Sequence, residues 1–367
     1  MRIFIAGTRG IPASHGGFET FAQDLALFLV ERGHEVTVYC QTEPGTRMEE
    51  DSWRGIRRVL IPAAHQPWGT IWFDWVTVNR VARQSGVVLT LGSNTGIFSY
   101  VYRLRGLPSA MNMDGIEWKR EKWTRAQRAW LWLNERAGAH ASNCLIADHP
   151  EIARHLHTHT SAEKITTIPY GADEIAAAPT EPIRALGLES GAYYLVIARP
   201  EPENSLLEIV RGYSACRSAY PLVVLGNYVP EARPYHRAVM EAAGSGVRFV
   251  GAIYDRAVVE SLRFHARAYI HGHRAGGTNP SLIESLAAGN AVIAHDNRFT
   301  RWVAGTGARY FSGAEDLTAI LDALESDPTI LPAMAQASRA RHREAFRQEH
   351  ILPRYERLLL TLSETGA

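Results

Sequence analysis

"HGHRAGGTNPSLIESLAAGNAVIAHDN", residues 271–297, decides how this chain is read. A short apolar run at 268–270 leads into it, and another at 291–294 leaves it. Between them lie two histidines, an arginine, two adjacent glycines, a Thr-Asn-Pro and a helical pattern with a single glutamate. Asn279 is a good N-cap and Pro280 a good first helical residue, so the helix is predicted to begin at Pro280. The order strand, glycine-rich loop, helix aims free backbone N–H groups and the positive end of the helix dipole past the strand's C-terminal edge. Gly276 and Gly277 let a ligand approach the backbone closely, and Thr278 and Asn279 follow them directly. Glu284, about one turn in, is placed to receive hydroxyl groups of a sugar or ribose. Taken alone, the stretch fits a plain βα turn with a solvated glutamate better than a binding loop.

The same pattern repeats outward in both directions. "RIFIAG", "EVTVYC", "VVLTLG", "SAMNM", "CLIAD" and "ITTIPYG" fill the first half, and "YYLVIAR", "PLVVLG", "VRFVG", "AYIHGH" and "AVIAHD" the second. Most are followed by helix-length amphipathic segments. Continuous apolar runs of this kind predict parallel strands buried on both faces, built from βαβ units twice over. The break falls in the Pro-, Gly- and Ala-rich segment 171–192. Three parts follow: 1–172, 173–346, and a final helix in 347–367 that is expected to pack back on the first. A chain of 367 residues accommodates two domains at about 100–200 residues each.

Composition narrows the function. The chain is 46% apolar and 21% charged, with a net charge of +1, which gives no nucleic-acid footprint over the whole surface. Cys40, Cys144 and Cys216 lie far apart without metal-ligand spacing, so a reducing compartment is expected. "MRIFIAG" is too soon broken for a signal peptide, and no run reaches the ~20 apolar residues of a membrane span. A soluble cytoplasmic protein is expected.

The first strand runs into "GTRGIPASHGGFE", which precedes a helix starting near Gly17. This is not G-x-G-x-x-G, and the second strand ends in Cys40-Gln41 without an acid for a nicotinamide ribose. A dinucleotide oxidoreductase is therefore disfavoured, and the long loop fits a cleft wall better. Further on, "DGIEWKREKWTRAQRAWLWLNERAG" mixes Trp118, Trp123, Trp130 and Trp132 with Lys119, Arg120, Lys122, Arg125 and Arg128. Amphipathic rings beside cations suit an anionic membrane interface. The competing reading turns these tryptophans into the core, since Trp130 and Leu133 are helically spaced. For Trp68, Trp72 and Trp75 in "QPWGTIWFDW", core packing is the expectation.

The pieces resemble the GT-B glycosyltransferases of family four. "GGFETFAQDLALFLVERGHEVTVY" looks like their "GGxE…LAxxLxxRGHEVTV" opening, and "KITTIPYGAD" like their "vipnGvD" hinge. "YYLVIARPEPENS" is similar to "GRLxxEKG", "FVGAIYD" to "FxGxxxd", and "PSLIESLAAGNAVIA" to "PxxxEAMAxGxPVIA". "GTRGIPASHGGFE", "DGIEWKREKW", "PENS" and "HGHRAGGTNPSLIE" further resemble the subgroup containing bacterial rhamnosyltransferases of capsule and cell-wall polysaccharide synthesis. The resemblance implies an α/β fold of two Rossmann-like, doubly wound parallel-sheet domains facing a cleft.

It also implies roles. Glu284 matches the second Glu of the E-x7-E motif, which holds the nucleotide ribose; the first Glu is Gly276 here. Arg199 matches the phosphate-binding arginine, and Asn204 stands where the companion lysine would be. Arg274 or His273 is expected to compensate for that cation. Asp114 occupies the place of a His beside the reacting sugar in many relatives. Asp114, Arg199 and Glu284 form the catalytic set. The donor side includes Gly16, Gly17, Arg199, Asn204, His273, Arg274, Gly276, Gly277, Thr278, Asn279 and Glu284. Acceptor-side candidates are His15, Glu19, Asn94, Asp114 and Trp118, several of which also read as loop caps.

The implied reaction is sugar transfer from a nucleotide diphosphate with retention of configuration, assisted by the leaving phosphate. No cofactor and no metal are expected: there is no DxD pair at a strand end, and Arg199 with the loop amides and helix dipole supplies positive charge. L-Rhamnose from dTDP-L-rhamnose is the first-choice donor, with UDP-glucose or a UDP-N-acetylhexosamine as alternatives. The acceptor is a lipid-linked or growing bacterial surface glycan, with possible peripheral contact to the inner face of the membrane. Rival readings are a nucleotide-sugar 2-epimerase and an inactive sugar-nucleotide-binding protein.

Overall fold

Five residues after Met1 form the first strand, β1 (Arg2–Ala6), whose Ile3 and Ile5 are fully buried. It pairs in parallel with β2 (Glu35–Thr42) on one side and β5 (Val87–Leu91) on the other. In the computed structural model, which describes residues 1–13, 17–64, 66–113, 115–120 and 123–365, the chain divides into two units. These are Met1–Pro169 with His350–Ala367, and Tyr170–Glu349.

The first unit is an eight-stranded sheet in the order β3-β4-β2-β1-β5-β6-β7-β8. Here β3 is Glu49–Trp53, β4 Ile56–Pro62, β6 Ser109–Met113, β7 Cys144–Ala147 and β8 Ile165–Thr167. Its helices are α1 (Gly17–Glu31), α2 (Pro67–Val81), α3 (Ser99–Leu104), α4 (Arg125–Ala141) and α5 (Pro150–Leu156). Phe73, Val78 and Val81 of α2 and Tyr102 of α3 pack on Phe4, Tyr39, Val59 and Val88 of the sheet. The final helix, numbered α14 below, belongs to this unit from His350 onward. Its Tyr355 ring lies 4.8 Å from Phe21 of α1 and accepts a 3.0 Å hydrogen bond from Asn112 of β6.

The second unit is a six-stranded parallel sheet in the order β11-β10-β9-β12-β13-β14. Its elements run α6 (Glu181–Ala185), β9 (Tyr194–Ile197), α7 (Leu206–Ala215), β10 (Leu222–Leu225), α8 (Pro234–Glu241), β11 (Val247–Gly251) and α9 (Arg256–Phe264). They continue as β12 (Ala268–His271), α10 (Pro280–Ala287), β13 (Val292–His295), α11 (Arg298–Ala304), β14 (Arg309–Phe311), α12 (Ala314–Ser326) and α13 (Ile330–Ala345). α14 (Gln348–Thr365) closes the chain. Alternate strand residues feed two separate cores. Tyr194 and Val196 join Val224, Ile270 and Ile293 on one face, while Tyr193 and Leu195 join Val223, Leu225 and Tyr269 on the other. Burial on both faces is why these strands read as unbroken apolar runs.

The β3–β4 hairpin escapes such a reading. Its strands carry Glu50, Asp51, Arg57 and Arg58, which pair across the antiparallel ladder. Charges on an edge strand protect it from pairing with other chains, and they also erase the apolar signature. β14, at three residues, is too short to stand out.

Candidate active site

Each sheet reverses direction once. In the second unit the reversal lies between β9 and β12, and in the first between β1 and β5. Ligands of doubly wound sheets bind beyond the strands' C-terminal ends at such switch points. The loops after β9 and β12 hold nearly all the residues singled out for the donor.

At both switch points bare backbone is required. A Cβ on Gly272, just past β12, would lie 2.1 Å from the carbonyl oxygen of Asn204 in the loop after β9. A Cβ on Gly7, which follows β1 with φ +80°, would lie 2.3 Å from the carbonyl oxygen of Leu91 at the end of β5. The two loops at each point therefore touch through main chain. The Arg274 amide adds a 2.9 Å bond to the Glu203 carbonyl.

Asn204 is the hinge pin of the second unit's loops. It is buried, its Nδ2 donates to the Arg199 carbonyl at 2.8 Å, and its Oδ1 accepts from His273 Nδ1 at 2.7 Å. It thus fixes the backbone of Arg199 and the ring of His273 together where a lysine was expected. Arg199 is exposed, and its guanidinium makes no ion pair among the described residues. Arg274 differs from expectation. Its Nε donates to Ser205 Oγ at 2.7 Å and its guanidinium pairs with Glu208 of α7, so it is no free replacement for the missing cation.

α10 begins at Pro280, and Asn279 caps it by accepting the Ser281 amide at 3.0 Å. Gly276 takes φ +124° and lies half-buried beside Gly277. Thr278 is buried, and its Oγ1 accepts from the Tyr170 amide at 3.2 Å, so its side chain braces the start of this unit. Glu284 pairs with Arg263 of α9 at 2.6 Å, and Arg263 also donates to Ser281 Oγ at 2.9 Å. Ser281 Oγ in turn donates to the Ile197 carbonyl at the end of β9.

Two histidines close the floor. His271 is fully buried, and burial first, then the neighbouring His295 and Arg263, pushes its pKa down to about 3. His295 is lowered by burial and then by Arg274. Both rings are neutral near pH 7, and the positive field that helps depress them favours an anion.

In the first unit, α1 starts at exposed Gly17. Glu19 is buried and its Oε1 accepts the Arg9 amide at 3.3 Å, so it braces the loop after β1. Asn94 is exposed, and its carbonyl accepts from Trp130 Nε1 at 3.1 Å. Trp118 turns its indole N–H to Glu135 Oε2 at 3.0 Å. Glu135 is buried and its Oε1 also accepts from His155 at 2.8 Å, with His159 at 3.6 Å. Asp74 of α2 was not anticipated. It accepts from Thr95 Oγ1 at 2.8 Å beside a void of about 10 Å³, and burial raises its pKa to about 7. His15, Gly16, Asp114 and Lys122 lie outside the described residues.

The tryptophans correct the sequence reading. Trp68, Trp72 and Trp75 are 78%, 57% and 43% exposed, not in the core, and Trp130 and Leu133 are exposed as well. Sequence reasoning also missed Arg263, Gly272 and Ser205. Ser205 was signalled: it aligns with the last glycine of "GRLxxEKG" and takes a left-handed φ of +49°.

A family profile described as a domain of unknown function (DUF1972) matches residues 1–173. No curated protein matches the chain. Among solved structures, sucrose-phosphate synthase from Thermosynechococcus elongatus is similar over 99% of both chains, with a TM-score of 0.84 and 16% identity. Alr3699/HepE of Anabaena, in complex with UDP, matches over 98% of this chain and 99% of its own, with a TM-score of 0.76 and 14% identity. A glycosyltransferase from Rickettsia africae ESF-5 matches over 98% of both chains at 0.72 and 13%. The fold is that of the GT-B glycosyltransferases, two Rossmann-like parallel-sheet units. Among the described residues no helix is long and apolar enough to cross a membrane.

Proposed function

We propose that the protein is a glycosyltransferase that moves a sugar from a nucleotide diphosphate donor to a glycan acceptor. The donor lies on the loops after β9 and β12, and the acceptor on the loops after β1 and β5. The carrying observation is the set of groups at the second unit's switch point: the exposed guanidinium of Arg199, without an ion pair among the described residues, the glycine-rich loop 276–279 leading into α10, and Glu284 one turn along. That set suits a diphosphate with a ribose beside it. The shared fold with a sucrose-phosphate synthase and with HepE in complex with UDP supports the same reading.

Departure of the nucleotide leaves negative charge on phosphate and positive charge on the sugar ring. Arg199 and the loop amides stabilise the first without a metal, and the fixed dipoles need no reorganisation as the charge develops. The leaving phosphate assists front-face attack, so configuration is retained. The donor is dTDP-L-rhamnose, and the acceptor a lipid-linked or growing bacterial surface glycan met in the cytoplasm at the membrane.

A thermal-shift series with dTDP, UDP, GDP and their sugar conjugates tests this, because a ligand that binds only the folded state raises its stability by mass action. Selective stabilisation by dTDP and dTDP-L-rhamnose is the expected result. Preference for UDP would move the donor to a UDP-sugar. Stabilisation by none would remove the nucleotide reading. Interconversion of 2-epimers without acceptor would favour the epimerase.

A further inference from the structure

α2 and α4 present apolar faces to solvent. On α2, Trp68, Trp72 and Trp75 follow i, i+4, i+7 spacing, which puts all three on one stripe. The stripe opposite holds Phe73 and Val78 in the core. On α4, Leu131, Asn134 and Gly138 are buried, while Arg125, Ala126, Ala129, Trp130, Trp132, Leu133 and His140 are exposed. A surface helix normally shows water a polar and charged face; these two expose a tryptophan-rich face instead, with Trp68, Trp72 and Trp75 on α2 and Trp130, Trp132 and Leu133 on α4. The short turn 96–98 that leads into α3 joins them: the Trp75 ring lies 5.2 Å from Phe98, and the Ile97 amide donates to Asn134 of α4 at 3.0 Å. Leu104, at the end of α3, is 84% exposed.

Charge around this layer is in positive excess. Residues 66–141 contain ten Lys and Arg against five Asp and Glu, in a chain whose net charge is +1. Of those acids, Glu135 is buried, the Asp74 carboxylate bonds Thr95, and Glu117 is paired with Arg120. Arg83, Arg103, Arg105 and Arg125 are exposed. Arg136 lies over the Trp132 ring at 3.8 Å from its centroid, which keeps a cation beside an indole.

We propose that the outer face of α2, α3 and α4 docks on an anionic phospholipid bilayer, with the indoles at headgroup depth and the arginines on lipid phosphates. Tryptophan is the side chain that gains from an interface apolar on one side and wet on the other, and basic residues are drawn to an anionic leaflet. A second copy of the chain fits poorly, because a two-fold contact would set this basic face against itself. The inference needs no part of the sugar-transfer reading, and its test measures no turnover.

The full chain is sedimented with phosphatidylglycerol vesicles and with phosphatidylcholine vesicles, while tryptophan emission is recorded. Binding to phosphatidylglycerol with a blue shift is expected, and it should weaken about tenfold or more as salt screens the charges. Trp68→Ser/Trp72→Ser/Trp75→Ser should lose the blue shift and most binding. Arg105→Glu/Arg125→Glu should lose the salt-sensitive part while keeping the parent melting temperature. Absence of binding to phosphatidylglycerol overturns the proposal. So does binding that neither variant alters, or a concentration-dependent dimer that the tryptophan variant abolishes.

Discussion

Glu284 Oε2 lies 2.6 Å from the guanidinium of Arg263, a residue whose side chain is only 5% exposed. The glutamate expected to meet ribose hydroxyls is therefore aimed by a buried cation on the preceding helix. An arginine in this position fixes the orientation of the carboxylate, which suits it to accept hydroxyl hydrogen bonds with little ordering cost at binding.

Glu284→Gln should raise the KM for the nucleotide sugar about tenfold, the scale of one hydrogen bond to a charged group, with kcat changed less. Arg263→Gln should reproduce the KM effect although Arg263 is buried, and should also lower the melting temperature. Steady-state kinetics on both variants checks this. An unchanged KM in both would leave the pair a structural strut.

Arg199 carries the leaving-group charge in the proposed reaction. Arg199→Ala should lower kcat by roughly 10²-fold, by analogy with removal of one oxyanion donor. Loss below threefold would make it a surface residue. The parent rate should survive EDTA unchanged; loss with rescue by Mg²⁺ or Mn²⁺ would refute the metal-free assignment.

Much of this was legible along the chain because it is local. The apolar runs from Tyr193 to Val196 and from Leu222 to Leu225 are buried on both sides, so their burial shows in sequence. The start of α10 showed too, because Asn279 and Pro280 are neighbours. Arg263 did not: its partner is 21 positions away, and only the packing of α9 beside α10 brings them together. Gly272 was missed for the same reason: the Asn204 carbonyl it must clear belongs to a loop far away along the chain. The tryptophans of α2 misled because aromatic residues at helical spacing look the same whether they face the core or a lipid surface.

Ser205 combines a left-handed φ of +49° with an Oγ that accepts from Arg274. Ser205→Gly relieves a strain of about 1–2 kcal/mol and loses one hydrogen bond of similar size, so its stability should stay near the parent's. Ser205→Ala keeps the strain and loses the bond, so it should be less stable by about 1 kcal/mol. Denaturant midpoints of the two variants decide the matter; equal values would mean the turn is not strained.

Asp74 gives a pH signature. Burial raises its pKa from 3.8 to about 7, against the opposing bond from Thr95. Thr77 Oγ1 and Tyr102 Oη, which line the same void, are buried without hydrogen-bond partners among the described residues. The folded chain therefore holds this proton where the unfolded chain has lost it. Between pH 3.8 and about 7 the folded state binds more protons, so this group makes stability fall as pH rises, by at most about 1.4 kcal/mol per pH unit. His271 works in the other direction. Its pKa is depressed from 6.5 to about 3, so it makes stability fall as pH drops through that range. Comparing the parent with Asp74→Asn isolates the first effect, since His271 is common to both. The variant should be the more stable of the two at about pH 8, and the gap should close toward about pH 4, where the parent carboxyl is already neutral. Urea unfolding of both chains across that range is the measurement. A gap that stays constant with pH would mean that Asp74 titrates alike in the folded and unfolded chain.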